Sequence, residues 1–154
     1  MPAPFPRALV LAAALALPAL AHAQQPPKPE QLIKWRQSAY QTIAWNVARI
    51  KSNVDGSFQK DEVARAAAIV AALANGGLGS LFRPGTETGK GWHETTVKPT
   101  LFSDGSGVGA KSAAFAKEAS ELHRVALTGD LTAIKAQFGN LQRSCKACHD
   151  DYRN

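Results

Sequence analysis

The sequence predicts an all-α protein, an antiparallel four-helix bundle with one long loop between its second and third helices. Apolar residues recur at helical spacing in four segments, whereas no segment shows the alternation of a half-buried strand. A single long stretch rich in glycine, threonine and proline interrupts the helical pattern at residues 77–110. These observations together favour two helical pairs joined by one long crossover.

The first two helices are predicted over residues 30–51 and 59–74. Pro29 stands near the start of the first helix, Ser57 is a plausible cap for the second, and Gly76 follows its end. The apolar rows of the two helices are Ile33, Tyr40, Ile43, Val47 and Ile50, then Val63, Ala66, Val70 and Leu73. Each row defines one face that must be buried against the rest of the bundle.

The last two helices are predicted over residues 111–127 and 131–152, with Gly129 ending the third and Asp130 capping the fourth. The fourth has the most regular pattern, because its apolar seam steps by three and four residues. That seam consists of Leu131, Ile134, Phe138, Leu141, Cys145, Cys148 and Tyr152. Both cysteines of the chain therefore face the predicted core.

The amino terminus is typical of a secretory signal peptide over residues 1–23. Arg7 supplies a positive start, an apolar stretch follows, and the small residues around His22 predict cleavage after Ala23. The apolar stretch is too short to span a bilayer and is followed by Pro18. We therefore expect residues 24–154 to form one exported, periplasmic domain that does not span the membrane.

The charge balance is moderately basic, with 18 lysines and arginines against 12 acidic residues and a formal net charge of +6. Of these charges, the predicted signal carries only Arg7. The basic residues are scattered rather than clustered in a stripe, which argues against nucleic-acid binding. A positive surface would steer an acidic redox partner protein or simply aid solubility, and the scattered distribution favours the second.

The motif Cys145-Lys146-Ala147-Cys148-His149 indicates covalent attachment of a c-type haem. Two thiols at this spacing add to the two vinyl groups of one haem, and His149 is then placed to bind the iron. Since the cysteines lie on the core seam, we expect the haem inside the bundle. A simple disulfide is the alternative for the two cysteines, and no second pair exists to complete a zinc site.

The first helix offers the candidates for the rest of the haem environment. Arg36 falls near the centre of its apolar face, and a guanidinium there requires an anionic or polar partner. Haem propionates would provide one, and the neighbouring Gln37 would bond the same propionates or the haem edge. The alternative is a rotated helix in which Arg36 only flanks the core.

Tyr40, one turn after Arg36, is the candidate for the distal side of the iron. Its ring would block the sixth position, although direct ligation as tyrosinate and simple core packing are alternatives. Arg153 would fold back near His149 on the proximal side. The only methionine is Met1, so His123 and His93 are the rival sixth ligands in the mature chain.

Four segments resemble the cytochrome c′ family. The stretch from Trp35 to Tyr40 is similar to its arginine-glutamine segment, and residues 84–87 and 99–104 resemble its loop between the second and third helices. The end, Ser144 to Arg153, is the most specific match, while Tyr40 is larger than the group many members carry. The resemblance implies one covalent haem c with five-coordinate, high-spin iron held by His149, binding of NO and CO, and dimers through the first two helices.

A periplasmic gas-binding haem protein is therefore the first functional hypothesis, with electron transfer as an additional role. A six-coordinate, low-spin electron-transfer cytochrome is the alternative. An enzyme, such as a weak peroxidase or NO reductase, ranks last because no histidine-type general base is expected near Tyr40. Trp35 and Trp45 fall outside the core face of the first helix, so they predict either a homodimer interface or packing under the loop.

Overall fold

The computed structural model describes residues 26–154. These residues fold into four α-helices, and β-structure among them is limited to isolated bridges. The predicted signal peptide and its cleavage site lie outside the described residues. Within residues 26–154, none of the helices combines the length and apolarity needed to cross a membrane.

The four helices confirm the predicted all-α bundle. They are α1, Pro29–Asp55; α2, Lys60–Ala74; α3, Gly105–Ala126; and α4, Leu131–Tyr152. The segment 75–104, called here the crossover loop, joins α2 to α3 and contains two short 3-10 turns, Leu78–Leu81 and Pro99–Phe102. Along the bundle, α1 packs on α2, α2 on α3 and α3 on α4.

Helix α4 begins and ends where the sequence predicts. The Asp130 carboxylate caps its start by accepting hydrogen bonds from the amides of Thr132 and Ala133, at 2.9 and 3.1 Å. Gly129 precedes the cap with a φ of 81°, in the left-handed region that glycine enters without strain. Cap and glycine together fix the direction in which α4 leaves the α3–α4 turn.

Helix α1 extends to Asp55, four residues beyond the predicted Lys51, and the starts of two other helices also differ from expectation. Helix α3 begins at Gly105, six residues before the predicted Lys111, because the Asp104 carboxylate caps it through the Gly107 amide at 2.9 Å. Ser57 does not cap α2, whose first residue, Lys60, follows Gln59 without a side-chain cap. In both places the preference of single residues was overridden by the surrounding structure.

The aliphatic core fills only one end of the bundle. It joins the second half of α1 to α2, to the end of α3 and to the start of α4, and its fully buried large members are Ile50, Val63, Val70, Leu122, Ile134 and Leu141. Towards the opposite end, α1 and α4 make few contacts with each other, and the crossover loop covers the gap between them. That gap contains the candidate site.

Candidate haem-binding site

A cavity of about 490 Å³ lies between the first half of α1 and the end of α4, and residues of the crossover loop form part of its lining. This volume is in the range of pockets that enclose an organic ligand. Its wall unites most of the residues singled out from the sequence: Arg36, Gln37, Tyr40, His93, Cys145, Cys148, His149 and Arg153. The helices thus bring together side chains more than a hundred residues apart in the chain.

Cys145 and Cys148 enter the cavity wall from one side of α4. Both are free and half-buried, so the alternative of a disulfide does not describe this fold. Burial raises the pKa of both thiols, which keeps them protonated at neutral pH in the protein without haem. Two free thiols on one helical face, opening into an organic-sized cavity, suit attachment to a single haem.

His149 follows on the same part of α4. Burial and the nearby Arg153 guanidinium lower the pKa of its imidazole, an effect only partly opposed by Asp150. A lowered pKa keeps the ring neutral, and a neutral imidazole is the form that binds a metal. Arg153 is therefore close enough to His149 to act on it electrostatically, as its spacing predicts.

Tyr40 projects from α1 into the same cavity. Its ring contacts Phe82 of the crossover loop edge-on, with centroids 6.2 Å apart and planes at 66°. Burial against the cavity raises the pKa of its hydroxyl to about 12, and the two cysteines add to the rise. Tyr40 is thus a neutral phenol at physiological pH, which disfavours the alternative of a tyrosinate ligand.

Arg36 is buried, with 3% of its surface exposed, and it supports the crossover loop. Its Nη1 donates to Thr86 Oγ1 at 2.7 Å, and its Nη2 donates to the Thr86 carbonyl and to Thr95 Oγ1 at 2.7 and 2.8 Å. The guanidinium also lies 4.9 Å from the centre of the Phe82 ring. The inward orientation expected for Arg36 is confirmed, but much of its donor capacity is used by the loop.

Gln37 holds the next part of the loop. Its Oε1 accepts from the Trp92 amide at 2.7 Å, and its Nε2 donates to the His93 carbonyl at 2.8 Å. Gly91 fits against α1 there only because it lacks a side chain, since a Cβ would lie 2.7 Å from the Lys34 amide nitrogen. Arg36 and Gln37 therefore position the loop over the cavity.

The end of α4 is held by the crossover loop and by the start of α3. The Lys98 amide donates to the Tyr152 carbonyl at 2.9 Å, and the Asn154 amide donates to the Thr96 carbonyl at 2.8 Å. The Tyr152 hydroxyl donates to Asp104, the cap of α3, at 2.5 Å. These contacts fix the helical turn that carries the two cysteines and His149.

His123 is not a partner of this site. It lies in the last turn of α3, beside the start of α4, whereas His149 is 18 residues further along α4. At 1.5 Å per residue that separation is roughly 27 Å, so the suggestion of His123 as a sixth ligand is wrong. His93 does line the cavity, with its Nδ1 2.8 Å from the Glu94 carbonyl and 3.3 Å from Gln37 Nε2.

Several residues that line the cavity could not be predicted from the sequence. Phe82 and Thr95 line it from the crossover loop, which has no periodicity to mark an inward side chain. Lys111 and Phe115 line the cavity from α3, where Lys111 also pairs with Asp151 at 2.7 Å. Phe115 stands at helical spacing from the buried Ala119 and Leu122, but nothing in the sequence links it to the cysteines.

The donor set and the cavity fit a c-type haem. Two thiols and one neutral imidazole stand on one wall, apolar side chains such as Ile43, Val47 and Phe115 supply contacts for a macrocycle, and Arg36, Lys111 and Arg153 offer positive charge for carboxylates. Within residues 26–154 no group of three histidine, cysteine or acidic side chains could hold a metal ion without such a cofactor.

Comparison with known proteins agrees with this geometry. The sequence model of the cytochrome c′ family matches residues 31–153. Cytochrome c′ of Rhodocyclus tenuis is 58% identical over 130 residues, which cover 84% of this chain and 98% of that protein.

Solved structures show the same fold. One is a cytochrome c′ with an unusual ligand-controlled dimer dissociation, at a TM-score of 0.81 and 39% identity, covering 84% of this chain and 98% of that one. Another is the nitric oxide complex of a variant cytochrome c′ from Alcaligenes xylosoxidans, at a TM-score of 0.74 and 32% identity, covering 84% and 99%. The chain therefore belongs to the cytochrome c′ family and carries a covalently bound c-type haem.

Proposed function

We propose that this protein is a periplasmic haem protein that binds NO and CO at five-coordinate, high-spin iron and catalyses no committed reaction. The observation that carries the proposal is the single cavity that brings together Cys145, Cys148 and His149 on α4 with Tyr40 on α1. When bound, the haem supplies an iron atom with one coordination position for a diatomic ligand.

In this proposal Cys145 and Cys148 form the two thioether links, and His149 is the proximal ligand. The support is their common helical face and the lowered pKa that keeps His149 neutral. Arg153 lies on the proximal side, where its charge acts on His149. The contacts that hold the end of α4 keep these four side chains in a fixed arrangement.

Tyr40 is proposed as the distal residue. Residues 26–154 contain no methionine that could occupy the sixth position of the iron in its place. The bulky, neutral ring of Tyr40 projects from α1 towards the cysteines. A ring in this position excludes water and leaves a diatomic ligand to displace it. Moving the ring costs free energy and so lowers the affinity for the ligand. A smaller side chain would not impose this cost.

Arg36 and Gln37 are proposed to contact the propionates or the haem edge while they hold the crossover loop. Both line the cavity, and the hydrogen bonds that Arg36 makes with residues 26–154 come from Nη1 and Nη2, not from Nε. A charged guanidinium beside a carboxylate gives a strong, charge-assisted hydrogen bond. The two roles are compatible because the propionates and the loop would meet at the same edge of the cavity.

We further propose that the protein is exported and forms a homodimer through α1 and α2. The signal pattern of residues 1–23 supports export. Trp45 is 60% exposed on α1, and Arg49 links it to α2 by stacking on its ring and pairing with Glu62. The dimer of a related cytochrome c′ adds support for assembly.

The absorption spectrum of the dithionite-reduced holoprotein tests the proposal, before and after addition of CO. A broad, unsplit visible band that changes with CO is expected for five-coordinate iron with an available position. Sharp, separate α and β bands that do not respond to CO would contradict it and indicate the six-coordinate electron-transfer alternative. His93→Ala would then be the variant to record, because His93 is the cavity's other histidine.

A further inference from the structure

A second, smaller cavity of about 230 Å³ adjoins the haem cavity. It lies under the crossover loop, between the turn Pro99–Phe102 and the start of α3. Four residues belong to the walls of both cavities: Tyr40, Phe82, Leu101 and Cys148. The two spaces therefore meet at the proposed distal residue and at one of the proposed attachment cysteines.

The side chains that line the smaller cavity favour a small apolar occupant. Phe82, Pro84, Leu101, Phe102 and Val108 make its wall largely apolar, and the wall contains no charged side chain. An ion entering it would lose hydration without compensation, whereas an apolar molecule would not. The volume is below the range that organic ligands occupy, and apolar protein cavities bind atoms such as xenon.

Phe82 and Tyr40 stand between the two cavities. Contacts hold Phe82 in place, whereas the Tyr40 side chain is free to rotate. Phe82 is held by the Arg36 guanidinium, which is itself bonded to Thr86 and Thr95. The hydroxyl of Tyr40 makes no hydrogen bond with residues 26–154, and its ring meets Phe82 only edge-on. Rotation of Tyr40 would therefore open a path between the cavities without breaking a hydrogen bond in the described fold.

We propose that the smaller cavity is a docking chamber for apolar diatomic gas molecules, which pass Tyr40 on their way to and from the haem. The proposal rests on the proposed function, since it presumes that the iron binds such gases. It adds a second site that holds the gas without a bond to iron. It also assigns Val108, which lines only the smaller cavity, to control of ligand access rather than to the iron site itself.

Xenon tests the chamber directly, independently of any bond to iron. Crystals of the holoprotein under xenon pressure should show a xenon atom in contact with Val108, Leu101 and Phe102. In Val108→Phe crystals that atom should be absent, because the larger ring fills the space. Absence of xenon from the wild-type chamber would overturn the proposal even if the iron binds CO normally.

Flash photolysis of the CO complex tests whether the chamber serves the iron. Val108→Phe should reduce the recombination that occurs inside the protein and slow association from solvent by about tenfold. Val108→Ala enlarges the chamber, so it should increase recombination inside the protein and speed association from solvent. This variant also keeps the test decisive if Val108→Phe does not fold. Ala113→Phe, at an exposed position of the same helix, is the matched control.

The outcomes distinguish a failure of the chamber proposal from a failure of the proposed gas-binding function on which it rests. Rates in Val108→Phe and Val108→Ala that equal those of Ala113→Phe would reject the chamber while leaving gas binding intact. If the wild-type ferrous protein does not bind CO, the proposed function and the chamber fail together. Xenon binding with opposite kinetic effects of the two Val108 variants is the result that supports the proposal.

Discussion

Arg36 shows how one side chain can serve both the fold and the site. Its guanidinium is buried, yet it donates to a hydroxyl and a carbonyl of Thr86 and to Thr95. Burial lowers the pKa of this guanidinium, but an arginine remains charged at any physiological pH. The loop oxygens thus stabilise the positive charge of Arg36, and haem propionates would add to these existing partners.

Removing Arg36 should therefore affect stability and redox behaviour together. Arg36→Ala leaves buried Thr86 without a partner for its carbonyl, and we expect a loss of about 3 kcal/mol in the free energy of unfolding. If the propionate contact exists, the midpoint potential of the haem also shifts. Chemical denaturation and a redox titration measure the two effects, with the exposed Arg65→Ala as control. A destabilised protein with an unchanged potential would restrict Arg36 to holding the loop.

Tyr40 is the residue whose size should set ligand affinity. Tyr40→Ala removes the ring that a ligand must displace, and we expect the CO affinity to rise about tenfold, corresponding to about 1.4 kcal/mol. Tyr40→Phe keeps the ring and removes only the hydroxyl, so its CO affinity should stay near that of the wild type. Equilibrium CO titration distinguishes the two variants. Equal affinities in Tyr40→Ala and wild type would remove Tyr40 from the distal role.

The pair of Asp104 and Tyr152 predicts a pH dependence of stability. The hydrogen bond from Tyr152 and the Gly107 amide lower the pKa of Asp104 from its ordinary 3.8. A lowered pKa in the folded state contributes stability at pH values above 3.8, and this contribution disappears as the pH falls through the folded-state pKa. Tyr152→Phe should thus be less stable than wild type at pH 6.

The difference between Tyr152→Phe and wild type should shrink when unfolding is measured at pH 3 and below. The same hydrogen bond raises the pKa of Tyr152 to about 12, so its contribution is complete below pH 10 and is lost only as the pH rises through 12. A stability difference that stays constant from pH 6 to pH 2.5 would show that the bond does not depend on the Asp104 charge.

At the scale of elements, the crossover loop depends on close approach to α1. Gly91→Ala would place a methyl group 2.7 to 2.8 Å from the Lys34 backbone and 2.5 Å from Gln37 Oε1. Because a helix backbone cannot yield, the loop should lift from α1 at an expected cost of about 1–3 kcal/mol. Thermal unfolding and limited proteolysis within residues 75–104 measure the effect.

Gly79→Ala provides the control for the loop, because nothing lies within 4 Å of a Cβ at that position. It should unfold at nearly the temperature of the wild type and resist protease equally. If Gly79→Ala and Gly91→Ala behave alike, the chain entropy of glycine rather than close packing explains the effect.

The elements also show what the sequence could and could not predict. Helix α4 was predicted to the residue, because its seam is regular and Asp130 and Gly129 mark its start. The start of α3 was missed, because Gly105, Gly107 and Gly109 are typical of a loop. There the Asp104 cap and the Tyr152 hydrogen bond stabilise a helical turn, and Gly107 leaves room for both.

The same reasoning applies to the site. Residues on the helices were predicted because helical spacing assigns each one a face, so the cavity side of Cys145 and Tyr40 followed from the pattern. Residues of the loop, such as Phe82 and Thr86, were not predicted, because an irregular backbone assigns no face. Their positions depend on contacts with α1 that span 45 residues or more of sequence.

At the scale of the whole molecule, the exposed apolar residues bear on assembly. Trp45→Lys places a charge on the α1–α2 face, and we expect it to shift the protein from dimer to monomer by more than tenfold in Kd. Leu127→Lys, at a 54% exposed position in the α3–α4 turn, should leave the dimer intact. Analytical ultracentrifugation measures both, and a wild-type protein that is monomeric at all concentrations would refute the dimer.

The division of the bundle into a filled end and a hollow end has a consequence for its dynamics. Amides around Ile50, Val63 and Leu122 lie in the aliphatic core, whereas those facing the cavity depend on loop contacts. Native-state hydrogen exchange should therefore be slow at the filled end and fast at the end next to the crossover loop. The helices that run from one end to the other, α1 and α4, would each contain slow and fast amides, so a single helix would exchange as two cooperative units.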